Sequence, residues 1–155
     1  MNKLIFATHN PNKVKEVREL LSDSFEILGL NDIGFNEDII EDKLTIMENS
    51  IKKAEFVKIK TGYDCFADDT GLEVIALNGQ PGVFSKRFAG PNSSSDDNIN
   101  KLLEILGNNT NRAARFKTVI SLSKNGQIIT FEAVSYTHLR AHETSLHLVC
   151  RLLLE

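Results

Sequence analysis

Apolar positions along the chain fall into two kinds of pattern. Short, nearly continuous runs at residues 3–7, 25–30, 65–67, 72–77, 114–122 and 128–133 each predict a β-strand. Between them, apolar residues recur at helical spacing. Val14, Val17, Leu20 and Leu21 make one stripe; Met47, Ile51, Ala54 and Val57 make a second; Leu102, Leu103 and Leu106 make a third. Asn10 and Pro11 mark the start of the first helix, as an N-cap residue followed by the residue favoured at the first helical position. Thr45 and Glu48 predict a capping box for the second helix, over residues 44–60, and Gly62 ends it. Phe56 falls off that stripe, so this helix is expected to be covered on more than one face. The third helix is read over residues 99–106. Asn78 with Gly79 predicts a tight turn, and Lys124, Asn125 and Gly126 predict a hairpin between the last two strands. Strand and helix alternate through the first half, which gives an α/β class.

Composition narrows the picture. At 155 residues the chain is sized for one domain, and 41% hydrophobic with 25% charged residues is ordinary globular composition. No apolar run approaches the roughly 18 residues of a membrane helix, and the opening lacks the form of a signal peptide. A net charge of -3 argues against a broad surface for polymeric nucleic acid but leaves room for a focused anion pocket. Cys65 and Cys150 make no disulfide framework, and a cytoplasmic setting is expected. Cys65, inside an apolar strand, reads as packing rather than as a nucleophile.

Two places carry candidate chemistry. Residues 8–13 turn from the first strand into a helix start, where backbone N–H groups and the helix dipole favour phosphate; the competing reading is an ordinary capped turn. Asp68 and Asp69 follow a buried strand, before Gly71. Adjacent strand residues face opposite ways, so the expectation is that the chain leaves the strand there and turns both carboxylates toward a cleft. The competing reading is a solvated Asx turn.

Four segments together resemble the inosine triphosphate pyrophosphatase family. They are Thr8, His9, Asn10, Pro11, Asn12 and Lys13; Glu41 ahead of residues 44–50 with Lys53 and Ala54; residues 66–72 around Asp68, Asp69 and Thr70; and residues 80–90, with Ser85 and Arg87. The resemblance spans residues 1–133. It implies a mixed, twisted central sheet flanked by helices, with two lobes around a nucleotide cleft. It implies hydrolysis of deaminated purine nucleoside triphosphates (dITP, ITP, XTP) to the monophosphate and pyrophosphate, with Mg2+ as cofactor, which cleanses the nucleotide pool. Asp69 matches the proton acceptor, Asp68 supports the metal or the water, and Glu41 and Asp69 suit the metal. Residues 8–13, Lys53, Thr70, Ser85 and Arg87 are implied in substrate binding. Members are usually homodimers, and a membrane partner is not implied.

The character of the sequence changes at Val134. Residues 135–144 are read as continuing no strand and opening no helix, and three of the four histidines lie beyond this point. His138 and His142 have the spacing of a metal pair on a helix, and residues 146–154 could form an amphipathic helix. A different resemblance fits better: residues 134–144 look like the translation of a transposon-type sequencing adapter, and residues 148–155 like that of the flow-cell primer that follows it. The expectation is a pyrophosphatase domain over residues 1–133, incomplete at its C-terminus, and a non-native tail over 134–155. The family's glycine-rich segment and its serine-histidine-arginine run, which hold the base, have no counterpart. The alternatives are therefore an inactive fragment with residual phosphate binding, or a related septum-inhibitor type of nucleotide pyrophosphatase. For the chain as written, poor stability and little activity are expected.

Overall fold

Strand β1 (Asn2–Phe6) leads into helix α1 (Pro11–Leu21) in a computed structural model of the chain, which describes residues 2–140. Strand β2 (Phe25–Gly29), a 3-10 turn (Asn31–Ile33) and helix α2 (Ile46–Thr61) follow. Strand β3 is Cys65–Val74, β4 is Pro81–Gly82, α3 is Ser95–Leu106, β5 is Ala113–Lys124 and β6 is Gln127–His138. The sheet order is β2-β1-β3-β5-β6, with β4 on β3. β1 is parallel to β2 and to β3, whereas β4 is antiparallel to β3, so the sheet is mixed as expected.

Strand alternation assigns the two helices of the first half to opposite faces. Phe6 and Phe66 pack with Val14 of α1 and Ile27; Ile5, Ala7, Cys65 and Ala67 pack with Ala54 and Val57 of α2. The rings of Phe6 and Phe66 stack at 4.4 Å. On the α1 side, β2 and the helix approach so closely that a Cβ on Gly29 would stand 2.6 Å from a Val14 methyl. Gly29→Ala is therefore expected to destabilise the fold by about 1–3 kcal/mol, as overpacking does, and Val14→Ala should relieve part of that loss. Urea unfolding of the two single variants and the double variant checks this.

The stripes needed correction in two places. Leu20 of α1 is exposed; Val14 is buried, with Val17 and Leu21 partly so. In α2 the buried residues are Ile46, Asn49, Ser50, Ala54 and Val57, whereas Met47 is exposed. The helix is rotated toward two polar residues because both find partners inside. The Ser50 hydroxyl lies 3.2 and 3.0 Å from the carbonyls of Ala67 and Val119, and Asn49 pairs with the backbone of Lys43. Thr45 caps α2 by accepting from the Glu48 N–H, and Gly62 ends it at φ 75°. Phe56 is covered on its own side by an edge-on contact with Phe35.

The expected break after residue 67 does not occur. β3 runs without interruption through both aspartates to Val74, and the remainder of the expected strand over 72–77 is a 3-10 turn at Ile75–Leu77. Asn78 and Gly79 turn the chain at φ 53° and 86°, as anticipated. α3 begins at Ser95 rather than at residue 99, because Ser94 and Asp97 form a reciprocal capping box.

The reading that residues beyond 134 continue no strand is overturned over its first part. β6 runs through Val134 to His138 alongside a β5 of equal length. Leu139 is then buried with Leu72, Val74, Leu106 and Phe116, and its N–H donates to the Arg112 carbonyl. A neighbouring strand offers backbone partners to any chain that can extend, whatever its side chains. His138 ends β6. His142, His147, Cys150, the helix expected over 146–154 and the segment 148–155 lie outside the described residues, and with them the metal-pair reading.

The described chain forms two compact units. One comprises the residues up to Asp69 together with Val119–Glu132, and its cores are the two layers that sandwich β1 and β3. The other comprises Thr70–Thr118 and the described residues from Ala133 on, with a core of α3 against Leu72, Val74, Ala114, Phe116 and Leu139.

Candidate active site

In the first unit, the turn at residues 8–13 hangs from the strands beside it. Ala7 N–H donates to the Phe66 carbonyl, and the Thr8 carbonyl accepts from Leu30 N–H. Asn10 is in extended conformation, and its Oδ1 accepts from the N–H groups of Asn12 and Lys13, with Pro11 between. The Thr8 hydroxyl accepts from Asn10 N–H. The helix start carries no acidic side chain in its first turn, so its positive end is not neutralised locally. His9 ties the turn to the segment after β2. Its ring nitrogens lie 3.0 Å from Asn31 Oδ1 and 3.2 Å from the Glu37 carbonyl, while Asn31 donates to the His9 carbonyl. The ring braces the turn against the segment after β2.

The two aspartates stand in mid-strand, so they face opposite ways rather than turning together. Each meets the lysine of the helix that covers its face. Asp68, in phase with Phe66, takes Lys13 of α1 at 2.7 Å. Asp69, in phase with Ala67, takes Lys53 of α2 at 3.5 Å, and Lys53 also holds Glu41 at 2.8 Å. Lys53 is 11% exposed and Asp69 13%, so this group is largely withdrawn from water.

Three carboxylates around two ammonium groups leave an excess of negative charge. Burial pushes the Asp69 carboxyl up to about 6; Glu41 and Asp68 add to the rise, and Lys53 opposes it. Burial also works against the Lys53 ammonium. The charges of Asp69, Glu41 and Asp68 and the hydrogen bond to Glu41 outweigh it, and hold Lys53 above the ordinary lysine value. Asp69 is thus a carboxylate poised to exchange a proton near neutrality, beside a permanently charged lysine. Cys65, in the same strand, is fully buried, its Sγ donates to the Ala54 carbonyl, and burial pushes its thiol up to about 11. That is packing, as expected.

The remaining expected residues belong to the second unit. Thr70 shares a 2.8 Å hydrogen bond with the Thr118 hydroxyl. Ser85 is buried; its hydroxyl accepts from Leu72 N–H and donates to the Gly82 carbonyl. The hydroxyl thus clips Gly82 to the strand at Leu72. Arg87 places its guanidinium 5.4 Å from the Phe84 ring. Sequence reasoning missed Asn98, whose side chain gathers the same loop by accepting from Ala89 N–H and the Ser93 hydroxyl and donating to the Lys86 carbonyl. It also missed roles for Asn49 and Ser50, whose sequence signal is their place three and four residues after Ile46, in step with the buried stripe of α2.

With this geometry in place, comparison with known proteins is decisive. The sequence profile of the Ham1 family matches residues 4–144. The chain belongs to the Ham1 family. It is similar to the dITP/XTP pyrophosphatase of Flavobacterium johnsoniae, 53% identical over 133 residues that span 86% of this chain and 69% of the relative. Among solved structures, it is similar to the Ham1 protein of Staphylococcus aureus, with a TM-score of 0.83 at 35% identity over 90% of this chain and 72% of that one. A HAM1 protein from Coxiella burnetii matches with a TM-score of 0.86 at 34% identity over 92% of this chain and 75% of that one. The mixed α/β architecture is therefore that of Ham1 family members. No helix among the described residues is long and apolar enough to cross a membrane.

Proposed function

We propose that the chain hydrolyses dITP, ITP and XTP to the monophosphate and pyrophosphate, as a cytoplasmic, homodimeric enzyme that acts on free nucleotides. The observation that carries this reading is the largely buried pair of Lys53 and Asp69 with the half-buried Glu41, in a chain 53% identical to a dITP/XTP pyrophosphatase. In the reaction, the oxygen of water bonds to the α phosphorus and the bond from that phosphorus to the α,β-bridging oxygen breaks. Pyrophosphate leaves with the electron pair, and Asp69 accepts the proton of the water. Within the first unit, Lys13, Lys53 and the helix start at residues 8–13 are the groups that would meet the phosphate charge.

The donor chemistry fits a hard divalent cation. Among the described residues, no three His, Cys, Asp or Glu side chains are grouped to hold a metal by themselves. Glu41 and Asp69 nevertheless converge on one ammonium, and Mg2+ needs only one or two carboxylates when substrate phosphates complete its shell. Glu41 and Asp69 would hold it, with Asp68 in support; once bound, the ion supplies Lewis acidity toward the phosphate oxygens. The testing assay is pyrophosphate release from dITP, XTP, dATP and dGTP with and without Mg2+. Turnover of dITP and XTP above the common purines, dependent on Mg2+, is expected; equal turnover of all four would reject the base assignment.

The chain as written supports a second reading, an impaired protein whose native domain is residues 1–133. The residues from Val134 on depart in character, although the family match itself reaches residue 144. Amplifying the source DNA across the codons for Ala133 and Val134 tests this. A frame that continues into a glycine-rich and serine-histidine-arginine segment supports a non-native tail; DNA that encodes residues 134–155 rejects it.

A further inference from the structure

Residues 35–43 form neither helix nor strand, yet they carry Glu41. Three side chains of α2 grip the end of this segment in reverse order: Asn49 on Lys43, Lys52 on Asp42 and Lys53 on Glu41. Positions 49, 52 and 53 lie on one helix face by their i, i+3, i+4 spacing, so the segment runs back along the helix. The three grips differ in kind. The 2.6 Å pair of Lys52 with Asp42 is well exposed and constrains little. The pair of Lys53 with Glu41 is shared with Asp69 and cannot persist unchanged once Lys53 faces a phosphate and Glu41 a cation. The grip of Asn49 is neutral and 1% exposed; its Oδ1 accepts from Lys43 N–H at 2.9 Å and its Nδ2 donates to the Lys43 carbonyl at 3.4 Å. It reads backbone rather than charge, so nothing that happens to the carboxylates displaces it.

We infer that Asn49 is the positioning residue for Glu41, its buried amide clamping the backbone of Lys43 and so fixing where the Glu41 carboxylate stands. What Glu41 does there rests on the proposed function; the clamp does not. An asparagine buried near the start of a helix is unfavourable in propensity and desolvation unless its amide is satisfied, and among the described residues Lys43 satisfies it.

The test uses Asn49→Ala and the isosteric Asn49→Asp, which keeps the acceptor for Lys43 N–H and loses the donor. In metal-free protein, trypsin cleavage after Lys43 is measured against cleavage after Lys58 in α2. Asn49→Ala should raise the ratio about tenfold and Asn49→Asp less, because only the local clamp opens. In the pyrophosphate assay, the Mg2+ concentration for half-maximal rate should rise about 10–100-fold in Asn49→Ala, with a smaller change in kcat at saturating Mg2+. In a Glu41→Gln background, Asn49→Ala should add no further change in Mg2+ dependence. A cleavage ratio that stays at the wild-type value, or a loss of kcat with unchanged Mg2+ dependence, overturns the inference. If Asn49→Ala does not fold, Asn49→Asp carries both readouts. Absence of Mg2+-dependent turnover in the wild type would reject the proposed function instead, and the cleavage ratio would still decide the clamp.

Discussion

Asp69→Asn should lower pyrophosphate release from dITP by about 10²–10⁴-fold and, at pH 8, make the protein more stable. Both effects have one source. The Asp69 carboxyl sits at about 6 in the fold against an ordinary 3.8, chiefly because it is buried, with Glu41 and Asp68 adding like charge. A raised carboxyl binds its proton more tightly when folded. Its stabilising contribution is complete below about 3.8 and is lost as the pH rises through about 6. At pH 8 the ionised group is therefore a net burden, at most ~3 kcal/mol at about 1.4 kcal/mol for each pH unit of displacement. Asparagine keeps the shape and removes the charge, so a gain of about 1–2 kcal/mol is expected at pH 8, shrinking as the pH falls below about 6 and vanishing only below about 3.8. Urea unfolding at both pH values measures it. A variant that loses activity and stability together at pH 8 would show that the ionised carboxylate is held favourably, against the reading of a strained base. In the wild type, turnover should fall on the acid side at or below about pH 6, since any cation near Asp69 lowers that midpoint.

Lys53→Met should have the opposite stability profile. Lys53 is held above its ordinary value of 10.5: burial opposes its charge, but the carboxylates around it prevail. Its contribution is therefore fully present below 10.5 and is lost only as the pH rises through the still higher folded value, so all of it is at work at pH 8. Removing it leaves the largely buried Asp69 and the half-buried Glu41 without their shared partner, and one-sided removal from a buried ion pair costs up to about 3–5 kcal/mol. Near pH 5 the loss should be much smaller, because Asp69 takes up a proton and one uncompensated charge disappears. Activity should be lost at every pH, and Lys53→Arg should not restore it, since a planar guanidinium cannot replace a compact ammonium between two carboxylates. Unfolding at pH 5 and pH 8 distinguishes this from a simple packing defect, whose cost would be the same at both.

Much of the local structure was legible. Asn10 caps α1 as its position suggested, Gly62 ends α2, and the hairpin at Asn125 and Gly126 joins β5 to β6. These features depend on a few neighbouring residues, so the chain itself carries the information. The candidate residues were legible too, through four segments that match a family in order. What they touch was not. Ser85 clips Gly82 to Leu72 through backbone partners that no short-range pattern announces. The aspartates were read as turning together at a strand end. They remain in the strand because β3 runs on from its pairing with β1 at Cys65 and Phe66 to its pairing with β4 at Leu72 and Glu73, and the aspartates lie between these two paired stretches.

By itself, then, the sequence determined the element types, their caps and the family, all of which rest on short-range pattern. The pairing of charges was decided only in three dimensions. Lys53 meets Glu41 and Asp69 across separations of 12 and 16 residues, and Lys13 meets Asp68 across 55. No local periodicity encodes such meetings. They follow from placing α1 and α2 on opposite faces of one strand, which sends neighbouring carboxylates to different lysines and buries one of them deeply enough to shift its proton affinity.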